Sequence, residues 1–314
     1  MSREMKKIAL VIPTCDRASI LKENIEAILD EVKDNNIPIY ISDDSQNDAT
    51  LIAISDLRKL YKNIFYFKND PSLGHDKNYI RTLKLAQEDY VWFLGDAVKI
   101  RKGYLSQVVS IIQNNYDFVS VNTLSRNLHL DSSIYQDGNL LLKNLGWHLT
   151  FSGSTIYSKN SLENIDMIDL KSCKNFPQIS IIFRDFIKNN YKLFWFGERV
   201  VEVNSKKKSS YWSQDVMDVF LKDWSNVVLG LPEDYALTVK NEAIKSHTIN
   251  SNLFSIGYLV FLRINGFLDY EKIKMYGELL KKYGQVNYNL TCLISRMPPN
   301  LLKVLRKLYL HFSS

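Results

Sequence analysis

The first 125 or so residues of this chain alternate short apolar runs with segments of helical periodicity, and this alternation restricts the fold more than any other feature. Residues 8–12 form an unbroken apolar run, as in a strand that is buried on both faces. Leu21, Ile25 and Ile28 then recur at the spacing of an amphipathic helix. The repeated pattern predicts an α/β fold, in which a mostly parallel, doubly wound sheet is flanked by helices.

The remainder of the chain is predicted to be mixed at first and then mainly helical. The periodicity loosens after residue 126, and a helical pattern dominates beyond residue 206. In the middle part we expect strands at residues 153–157, 191–196 and 199–203, and a helix at residues 178–188. In the last part we expect helices at residues 213–224, 235–245 and 270–283, and another after Pro298 and Pro299.

Composition indicates a large folded unit without a membrane-spanning helix. Of the 314 residues, 46% are hydrophobic, which supports a sizeable core. The long apolar stretch at residues 254–262 is well short of the ~20 residues that a spanning helix needs, and the N-terminal segment has no signal-peptide core. The three cysteines are far apart in the sequence, so we expect a cytosolic protein without disulfides or a zinc site.

The net charge of +6 is concentrated in the C-terminal tail. Residues 279–314 carry six lysines and arginines and no acidic residue. In the last segment Leu301, Leu305 and Leu308 share one helical face, which is typical of a helix lying on the anionic inner face of a membrane. The same face could instead pack on the protein's own core or in a homo-oligomer. No nucleic-acid partner is expected, because the sequence has no recognition motif and no basic patch outside the tail.

Polar residues follow three of the predicted strands, where ligands bind in open α/β sheets. They are Pro13, Thr14 and Arg17 after the first strand, Asp43 and Asp44 after the second, and Gly95 and Asp96 after the fourth. Any one of these groups is ordinary turn chemistry. Because the carboxyl ends of parallel strands meet at one edge of the sheet, the three groups together predict a ligand site.

These segments, with Gly74-His75-Asp76-Lys77-Asn78, resemble the inverting glycosyltransferase family 2, which has the GT-A fold. The Leu94-Gly95-Asp96 strand end is similar to the abequosyltransferase-like branch of bacterial capsule and O-antigen synthesis. The resemblance covers residues 6–125 well and the remainder loosely. It implies transfer of a sugar from a nucleotide diphosphate, with a UDP-sugar favoured, to a glycan or lipid-linked acceptor.

The resemblance also implies roles for individual residues. Thr14 and Asp44 match positions that hold the nucleoside, and a carboxylate can accept the N3–H of uracil. Asp43 would order the loop or the ribose, and Lys77 would lie near the nucleotide. Three parts follow: residues 1–125 bind the donor, residues 126–205 bind the acceptor, and residues 206–314 form a lid loop and a helical region.

The expected metal motif is incomplete. The family usually ends this motif with an aspartate that binds a divalent ion, whereas here Ala97 follows Asp96, and a methyl group offers no oxygen ligand. Three alternatives follow: lysines and arginines neutralise the diphosphate without metal, Asp96 holds Mg²⁺ or Mn²⁺ weakly, or Ala97 is an inactivating change. His247 is a candidate further metal ligand.

A lysine-rich segment could supply the cations. Lys206, Lys207, Lys208 and Tyr211 lie where many GT-A enzymes have a loop that closes over the diphosphate. A solvated loop without a ligand is the alternative interpretation of the same residues.

The catalytic base and the acceptor site are less defined. Inversion needs a group that accepts the proton of the acceptor hydroxyl, usually Asp or Glu. At the place that matches the family's Glu-Asp pair this chain has Asn175-Phe176-Pro177-Gln178, with no carboxylate. We therefore take Asp169 as the candidate base and His148 as the alternative. Trp147 is the candidate for stacking against an acceptor sugar.

Two other functions are compatible with this fold class. A nucleotidyltransferase usually has a glycine-rich phosphate loop, which residues 13–17 lack. A non-catalytic nucleotide-sugar-binding protein would agree with Ala97 and with the missing Glu-Asp pair.

Overall fold

The computed structural model describes residues 5–126, 128–207 and 212–312, and in this part the strands form one nine-stranded sheet. The strands are β1 (Ile8–Thr14), β2 (Ile39–Asp43), β3 (Ile64–Lys68), β4 (Tyr90–Phe93), β5 (Val98–Ile100), β6 (Phe118–Thr123), β7 (Ser133–Tyr135), β8 (Thr155–Ser158) and β9 (Leu193–Val203).

Helices cover both faces of the sheet and make up most of the C-terminal region. They are α1 (Ala18–Asp34), α2 (Ala49–Leu60), α3 (His75–Leu83), α4 (Tyr104–Ile112), α5 (Gly138–Leu149), α6 (Pro177–Phe183), α7 (Trp224–Leu229), α8 (Leu237–Asn250), α9 (Ile256–Ile264), α10 (Tyr270–Met275), α11 (Gly277–Tyr283), α12 (Tyr288–Arg296) and α13 (Pro299–Phe312). Short 3-10 turns lie at Ser152–Ser154, Asn160–Leu162 and Ile165–Met167, and a π-helix at Asp218–Asp223 leads into α7.

The strand order is β3-β2-β1-β4-β8-β6-β9-β5, and β7 also pairs with β9. The first four strands in this order are parallel, as predicted. Beyond β4 the sheet is mixed, since β8 is antiparallel to both β4 and β6 while β6 and β9 are parallel. The predicted α/β class with a helical C-terminal region is confirmed, and the parallel half brings the ends of β1, β2 and β4 to one edge.

Two predicted strands are one strand in the structure. The sequence predicts a break at Gly197-Glu198 between strands at residues 191–196 and 199–203, but β9 continues through this break. Its pairing with β6 shifts register at Asn122. A Cβ on Gly197 would lie 2.4 Å from the carbonyl oxygen of Leu130, so this glycine permits a close backbone contact rather than a turn. The short strand β5 and the helix α5 were not predicted.

The core consists of two apolar clusters, one on each face of the sheet. Alternate side chains of β1 enter different clusters: Val11 packs with residues of α3, α5 and α6, whereas Leu10 and Ile12 pack with residues of α1, α2 and α4. Because β1 is central and buried on both faces, its carboxyl end is held rigidly where the polar residues begin.

Two backbone contacts bring the end of β9 beside the end of β4. The carbonyl of Gly95 accepts a hydrogen bond from Val98 N at 2.9 Å, which closes the turn between β4 and β5. Antiparallel pairing of β5 with β9 then places Asn204 next to this turn, and Asn204 N donates to the carbonyl of Ala97 at 2.8 Å. The lysine-rich segment therefore starts at the same sheet edge as Asp96.

None of the helices in the described ranges is long and apolar enough to cross a bilayer.

The first prediction concerns β1 as the centre of the core. Leu10 is 0% exposed, so Leu10→Ala should lower the free energy of unfolding by about 2–5 kcal/mol through lost burial and a cavity. Ile52→Ala removes a side chain that is 71% exposed and should change stability by less than about 0.5 kcal/mol. Urea unfolding measures both; equal effects of the two substitutions would contradict the assignment of β1 to the core.

Candidate active site

Asp96 joins the ends of β1 and β4. Thr14 Oγ1 donates to Asp96 Oδ2 at 3.1 Å, and Arg17 Nη1 donates to Asp96 Oδ1 at 2.9 Å. Asn24 Nδ2, from α1, donates to the carbonyl of Asp96 at 2.7 Å. Asp96 is 6% exposed, whereas the side chain of Arg17 is 31% exposed. The guanidinium group therefore covers the carboxylate and still meets solvent.

Lys207 brings a second cation to this edge. Asn204 Nδ2 donates to Asn24 Oδ1 at 2.8 Å, and the carbonyl of Asn204 accepts from Lys207 N at 3.0 Å. Burial and the charge of Arg17 lower the pKa of Lys207, against the opposing effect of Asp96. Lys207 therefore follows the anchored Asn204 at the same sheet edge as the ion pair.

The other predicted lid residues differ from Lys207. Lys206 Nζ binds Glu23 Oε2 at 2.5 Å, and Lys99 Nζ binds the other carboxylate oxygen at 2.9 Å. Hydrogen bonds from Lys206 and Lys99 lower the pKa of Glu23 to about 2. Lys208 and Tyr211 lie outside the described residues.

Within the described residues, the carboxylate of Asp96 is already paired. Both carboxylate oxygens of Asp96 are engaged by Thr14 and Arg17, and Ala97 contributes a buried methyl group. No group of three or more His, Cys, Asp or Glu side chains in the described ranges could hold a metal. Arg17 is the cation that the structure places against Asp96.

The prediction that His247 is a metal ligand does not agree with the structure. Its ring is 0% exposed, stacks on Phe220 with centroids 4.8 Å apart, and lies 5.6 Å from the ring of Trp224. Burial lowers the pKa of His247 well below its usual value. The side chain is part of an aromatic core and does not join Asp96 in a metal site.

Asp43 and Asp44 are both buried beside Thr14, which pairs with Asp43 across β1 and β2. Asp43 Oδ1 accepts hydrogen bonds from the backbone and hydroxyl of Ser45, and Oδ2 accepts from Tyr66 Oη at 2.9 Å. Asp43 thus orders its own turn, which is one of the roles predicted for it.

Asp44 holds the segment between β3 and α3. Its Oδ1 accepts from Asn69 Nδ2 at 2.9 Å and from Leu73 N at 2.7 Å; its Oδ2 accepts from Ser72 Oγ at 2.7 Å and from Gly74 N at 2.8 Å. Burial raises the pKa of Asp44, but these four hydrogen bonds outweigh it, so the pKa is lowered overall. Since a carboxylate has about four acceptor positions, Asp44 can contact a uracil only if one of these donors is displaced.

A cavity of about 340 Å³ lies between the start of α3 and the segment that precedes α6. Its lining comprises Leu73, Gly74, His75, Asp76, Lys77, Leu170, Lys171 and Lys174. Lys77 is exposed at the first turn of α3 and lines this cavity. The excess of lysines makes this cavity suited to anionic or polar ligands.

The prediction that His148 could be the catalytic base does not agree with the structure. It lies in α5, is 0% exposed, and its Nε2 is 3.0 Å from the carbonyl oxygen of Val121. Burial, with a smaller contribution from Arg126, lowers the pKa of His148 to about 3. A fully enclosed imidazole cannot reach the hydroxyl group of an acceptor.

Trp147 is likewise part of the interior. It is 3% exposed, and the guanidinium of Arg126 lies 5.1 Å from its ring centroid while donating to the carbonyls of Trp147 and His148. The predicted stacking of Trp147 on an acceptor sugar is therefore corrected, because its faces are already covered. The sequence signal failed because Gly146 lies inside α5 and not in a loop.

Asp169 is exposed but engaged in a local turn. Its Oδ1 accepts from Lys171 N at 3.0 Å, and its carbonyl accepts from Ser172 and Cys173. Gln178, in the segment 175–178 that matches the place of the family's Glu-Asp pair, is buried in α6 and donates from Nε2 to the carbonyl of Thr150 at 3.2 Å. Asp169 therefore keeps an exposed carboxylate with one oxygen in a local turn, whereas Gln178 has no carboxylate.

Comparison with protein families assigns the chain that carries these strand ends to a known family. The family model described as Glycosyl transferase family 2 matches residues 9–188, which is more than half of the chain. The chain belongs to glycosyl transferase family 2. The match contains all the strand-end residues from Thr14 to Asp96 and the position of Gln178.

Two curated relatives of this family 2 glycosyltransferase are bacterial. An abequosyltransferase of Salmonella typhimurium is 27% identical over 202 residues, which are 57% of this chain and 61% of the relative. A GalNAc(5)-diNAcBac-PP-undecaprenol beta-1,3-glucosyltransferase of Campylobacter jejuni is 25% identical over 220 residues, which are 69% of this chain and 65% of the relative. The chain thus spans less than two thirds of the length of either relative.

A solved structure supports the fold of this family 2 glycosyltransferase. Residues 1–349 of TarS from S. aureus, in complex with UDP-GlcNAc, align with a TM-score of 0.59 and 14% identity. The alignment covers 88% of this chain and 81% of TarS 1–349. At this identity the likeness establishes the GT-A architecture.

Several polar residues of the site were missed from the sequence of this family 2 glycosyltransferase. Asn69 and Asn204 follow strands, so the strand-end rule could have identified them. Asn24 is buried within the apolar face of α1, and a polar residue in an otherwise apolar helical stripe is a usable signal.

The second prediction concerns Asp44. Asp44→Asn should lower the free energy of unfolding at pH 7 by about 1.5–3 kcal/mol, because four buried hydrogen bonds lose their charged acceptor. The folded pKa is below the unfolded value of ~3.9, so this stabilisation is present above that pH and is lost as the pH falls through the folded pKa. The difference between parent and variant should therefore shrink below about pH 4.

Chemical unfolding from pH 3 to pH 8 measures this difference. Asp30→Asn is the matched control, since Asp30 is an exposed carboxylate on α1. A variant as stable as the parent at pH 7 would contradict the role of Asp44 in holding residues 69–74.

Proposed function

We propose that this protein transfers a sugar from a nucleotide diphosphate to a glycan or lipid-linked acceptor in bacterial surface polysaccharide synthesis, with inversion at the anomeric carbon. The observation that carries the proposal is the cluster of Thr14, Arg17, Asp96 and Lys207 at the carboxyl ends of β1 and β4. The name of the Campylobacter jejuni relative, which gives an undecaprenol-linked saccharide as its substrate, supports a lipid-linked acceptor.

Arg17 and Lys207 would neutralise the diphosphate in place of a metal ion. Transfer leaves negative charge on the departing nucleotide, and charged donors aimed at that charge lower the barrier. Arg17 is partly exposed above Asp96, and Lys207 follows the tethered Asn204. The poor fit of Asp96 and Ala97 to a divalent ion favours this arrangement over weak binding of Mg²⁺ or Mn²⁺.

A uridine nucleotide is the favoured donor. The solved TarS complex contains UDP-GlcNAc, which supports a uridine pocket in this fold. In this chain the nucleoside would lie beside Thr14 and the segment 69–74 that Asp44 holds, with Lys77 near the phosphates.

A non-catalytic nucleotide-sugar-binding protein is the second candidate. Residues 175–178, which match the place of the family's Glu-Asp pair, include no carboxylate, and the amide of Gln178 cannot accept a proton as a base. Binding without turnover across donors, acceptors and metals would favour this second function.

The third prediction tests the donor site. The parent chain should bind a UDP-sugar with similar affinity in EDTA and in Mn²⁺, and should turn it over in both. Arg17→Gln and Lys207→Gln should each weaken binding by about 1.5–3 kcal/mol, roughly ten- to a hundredfold, because each removes a charged hydrogen-bond donor. Lys62→Gln, at an exposed position of the loop between α2 and β3, is the control.

Isothermal titration with uridine, cytidine and guanosine diphosphate sugars measures binding, and release of the nucleoside diphosphate measures turnover. Thermal unfolding of each variant shows whether the fold remains stable when Asp96 loses Arg17 as its partner. Turnover that disappears in EDTA, or a large metal-dependent gain in Ala97→Asp, would contradict cationic neutralisation.

We also propose that α13 attaches the protein peripherally to the cytoplasmic face of a membrane. Leu302 is 3% exposed and packs inward, whereas Leu301, Val304 and Leu305 are 47%, 54% and 45% exposed. Leu293 on α12 is 56% exposed as well. Leu308 belongs to the part of α13 whose side chains are not described.

The charges of α13 favour an anionic lipid surface over a second protein copy as the occupant of this face. Lys303, Arg306 and Lys307 are all exposed, and the helix has no acidic residue. Two such helices facing each other would bring like charges together, whereas an anionic leaflet attracts them.

The fourth prediction uses a charge variant, because removing α13 would also remove the buried Leu302. Changing Lys303, Arg306 and Lys307 to Gln should weaken binding to phosphatidylserine vesicles by about 3 kcal/mol, roughly a hundredfold. The control changes three exposed lysines elsewhere, Lys62, Lys159 and Lys188.

Co-sedimentation at low and high salt measures the binding, which should weaken as salt screens the charges. A parent chain that ignores anionic vesicles, or equal losses in the two triple variants, would overturn the membrane proposal.

A further inference from the structure

The chain turns sharply directly after β9, at residues 204–207. The carbonyl of Asn204 accepts a hydrogen bond from Lys207 N at 3.0 Å, which closes a four-residue turn. The side chain of Asn204 supports the same turn, because its Oδ1 accepts a hydrogen bond from Lys206 N at 2.9 Å. Lys206 and Lys207 are therefore neighbouring cations whose backbone N–H groups are both bound to Asn204.

Helix α1 contacts this turn at two points. Asn24 Oδ1 accepts a hydrogen bond from Asn204 Nδ2 at 2.8 Å, at the start of the turn. Glu23 Oε2 accepts a hydrogen bond from Lys206 Nζ at 2.5 Å, on its far side. A turn that is held at one point can pivot about that point, whereas a second contact restricts this rotation.

Glu23 is itself held by a second lysine. Lys99 Nζ, on β5, is 2.9 Å from Glu23 Oε1, so each oxygen of the carboxylate has its own cation. Hydrogen bonds from Lys206 and Lys99 lower the pKa of Glu23 to about 2, and the carboxylate is therefore ionised at neutral pH. The side chain of Glu23 thus connects strand β5 to the turn after β9.

Asn24 relates the turn to the ion pair at the end of β4. This residue is 6% exposed, and its Nδ2 donates to the carbonyl of Asp96 at 2.7 Å. The carboxylate of Asp96 in turn accepts a hydrogen bond from Arg17. Because one buried amide contacts both Asp96 and Asn204, the turn has a fixed place beside this ion pair.

The two lysines of the turn differ in their partners. The charge of Lys206 is paired with Glu23, although the side chain of Lys206 is 69% exposed. Lys207 is half-buried and has no acidic side chain within ion-pair distance in the part of the chain that the structure describes. Burial and the charge of Arg17 lower the pKa of Lys207. An anionic ligand would therefore relieve Lys207 and not Lys206.

We propose that Glu23, together with Asn24, is the positioning residue for Lys207 and holds this cation where the diphosphate of the donor binds. The inference rests on the proposed function, in which Arg17 and Lys207 neutralise the diphosphate. It adds the side chains that prepare one of these two cations before the donor arrives. Glu23 acts through the turn and does not itself contact the donor.

Positioning and simple charge effects predict changes of opposite sign. A lysine side chain loses rotamer freedom when it binds a phosphate, and a turn that is already held reduces this cost. Loss of Glu23 would raise that cost and weaken binding of a diphosphate. As a charge alone, however, Glu23 repels an anion, so its removal would tighten binding. The direction of the change therefore distinguishes the two roles.

Equilibrium titration of the full chain with UDP, CDP and GDP, and with the matching nucleosides, measures the effect. Glu23→Gln should weaken binding of the diphosphate that the parent prefers by roughly two- to tenfold, the usual cost of ordering one long side chain. Binding of the nucleoside should change far less, because it has no phosphate for Lys207 to contact.

Glu26→Gln is the matched control. It removes the same charge from α1, three residues further along the helix, where Glu26 is paired with Lys22 at 3.8 Å. This variant should not weaken binding of the diphosphate, because Glu26 has no contact with the turn.

Two further comparisons show whether Glu23 acts through the lysines. Adding Glu23→Gln to Lys207→Gln should cause no further loss of diphosphate affinity, since the cation to be positioned is already absent. Lys206→Arg can still pair with Glu23, so it should retain more affinity than Lys206→Gln. A general loss of structure would instead lower affinity in every background and for nucleosides as much as for diphosphates.

Each outcome either supports the inference or overturns it. A parent that binds none of the three diphosphates overturns the proposed function and this inference with it. Lys207→Gln with the affinity of the parent overturns neutralisation by Lys207, and again this inference. If Lys207→Gln weakens binding while Glu23→Gln does not, or if the losses in the double variant add, only the positioning role of Glu23 is wrong.

Discussion

The ion pair between Arg17 and Asp96 is the interaction on which the arrangement of this site depends. Asp96 ends β4, Arg17 follows β1, and Asn24 on α1 holds the main chain of Asp96. Because Asn24 also binds Asn204, the same network positions the chain after β9. These few polar contacts hold the segments after β1, β4 and β9 together at one edge of the sheet.

Asp44 shows how a buried carboxylate can be structural and still shape a binding site. Its four donors come from the segment between β3 and α3, which has no regular secondary structure. Hydrogen bonds to the Asp44 carboxylate, and not the pairing of strands, therefore hold this segment in place. The start of α3, and with it the cavity lined by His75 and Lys77, inherits its position from this one side chain.

The parallel half of the fold and the meeting of three polar strand ends at one edge could be predicted from the sequence, since buried strands and their polar ends have local signatures. Roles that depend on burial could not. Trp147 and His148 looked like loop residues beside a glycine, and His247 looked like a ligand, because sequence spacing does not reveal which helix face meets the core. Long-range hydrogen bonds, such as that of Asp76 with Asn175, have no sequence signature at all.

The tether at Asn204 limits where the cation of Lys207 can act. Asn204 is anchored to Ala97 and Asn24, and Lys207 follows only three residues later. A chain extends at most about 3.5 Å per residue, so the Cα of Lys207 stays within about 11 Å of that of Asn204 in any conformation that keeps the anchor. The anchored backbone therefore keeps Lys207 near the sheet edge. Its ammonium group can contact only phosphates that lie within the reach of this short segment and the lysine side chain.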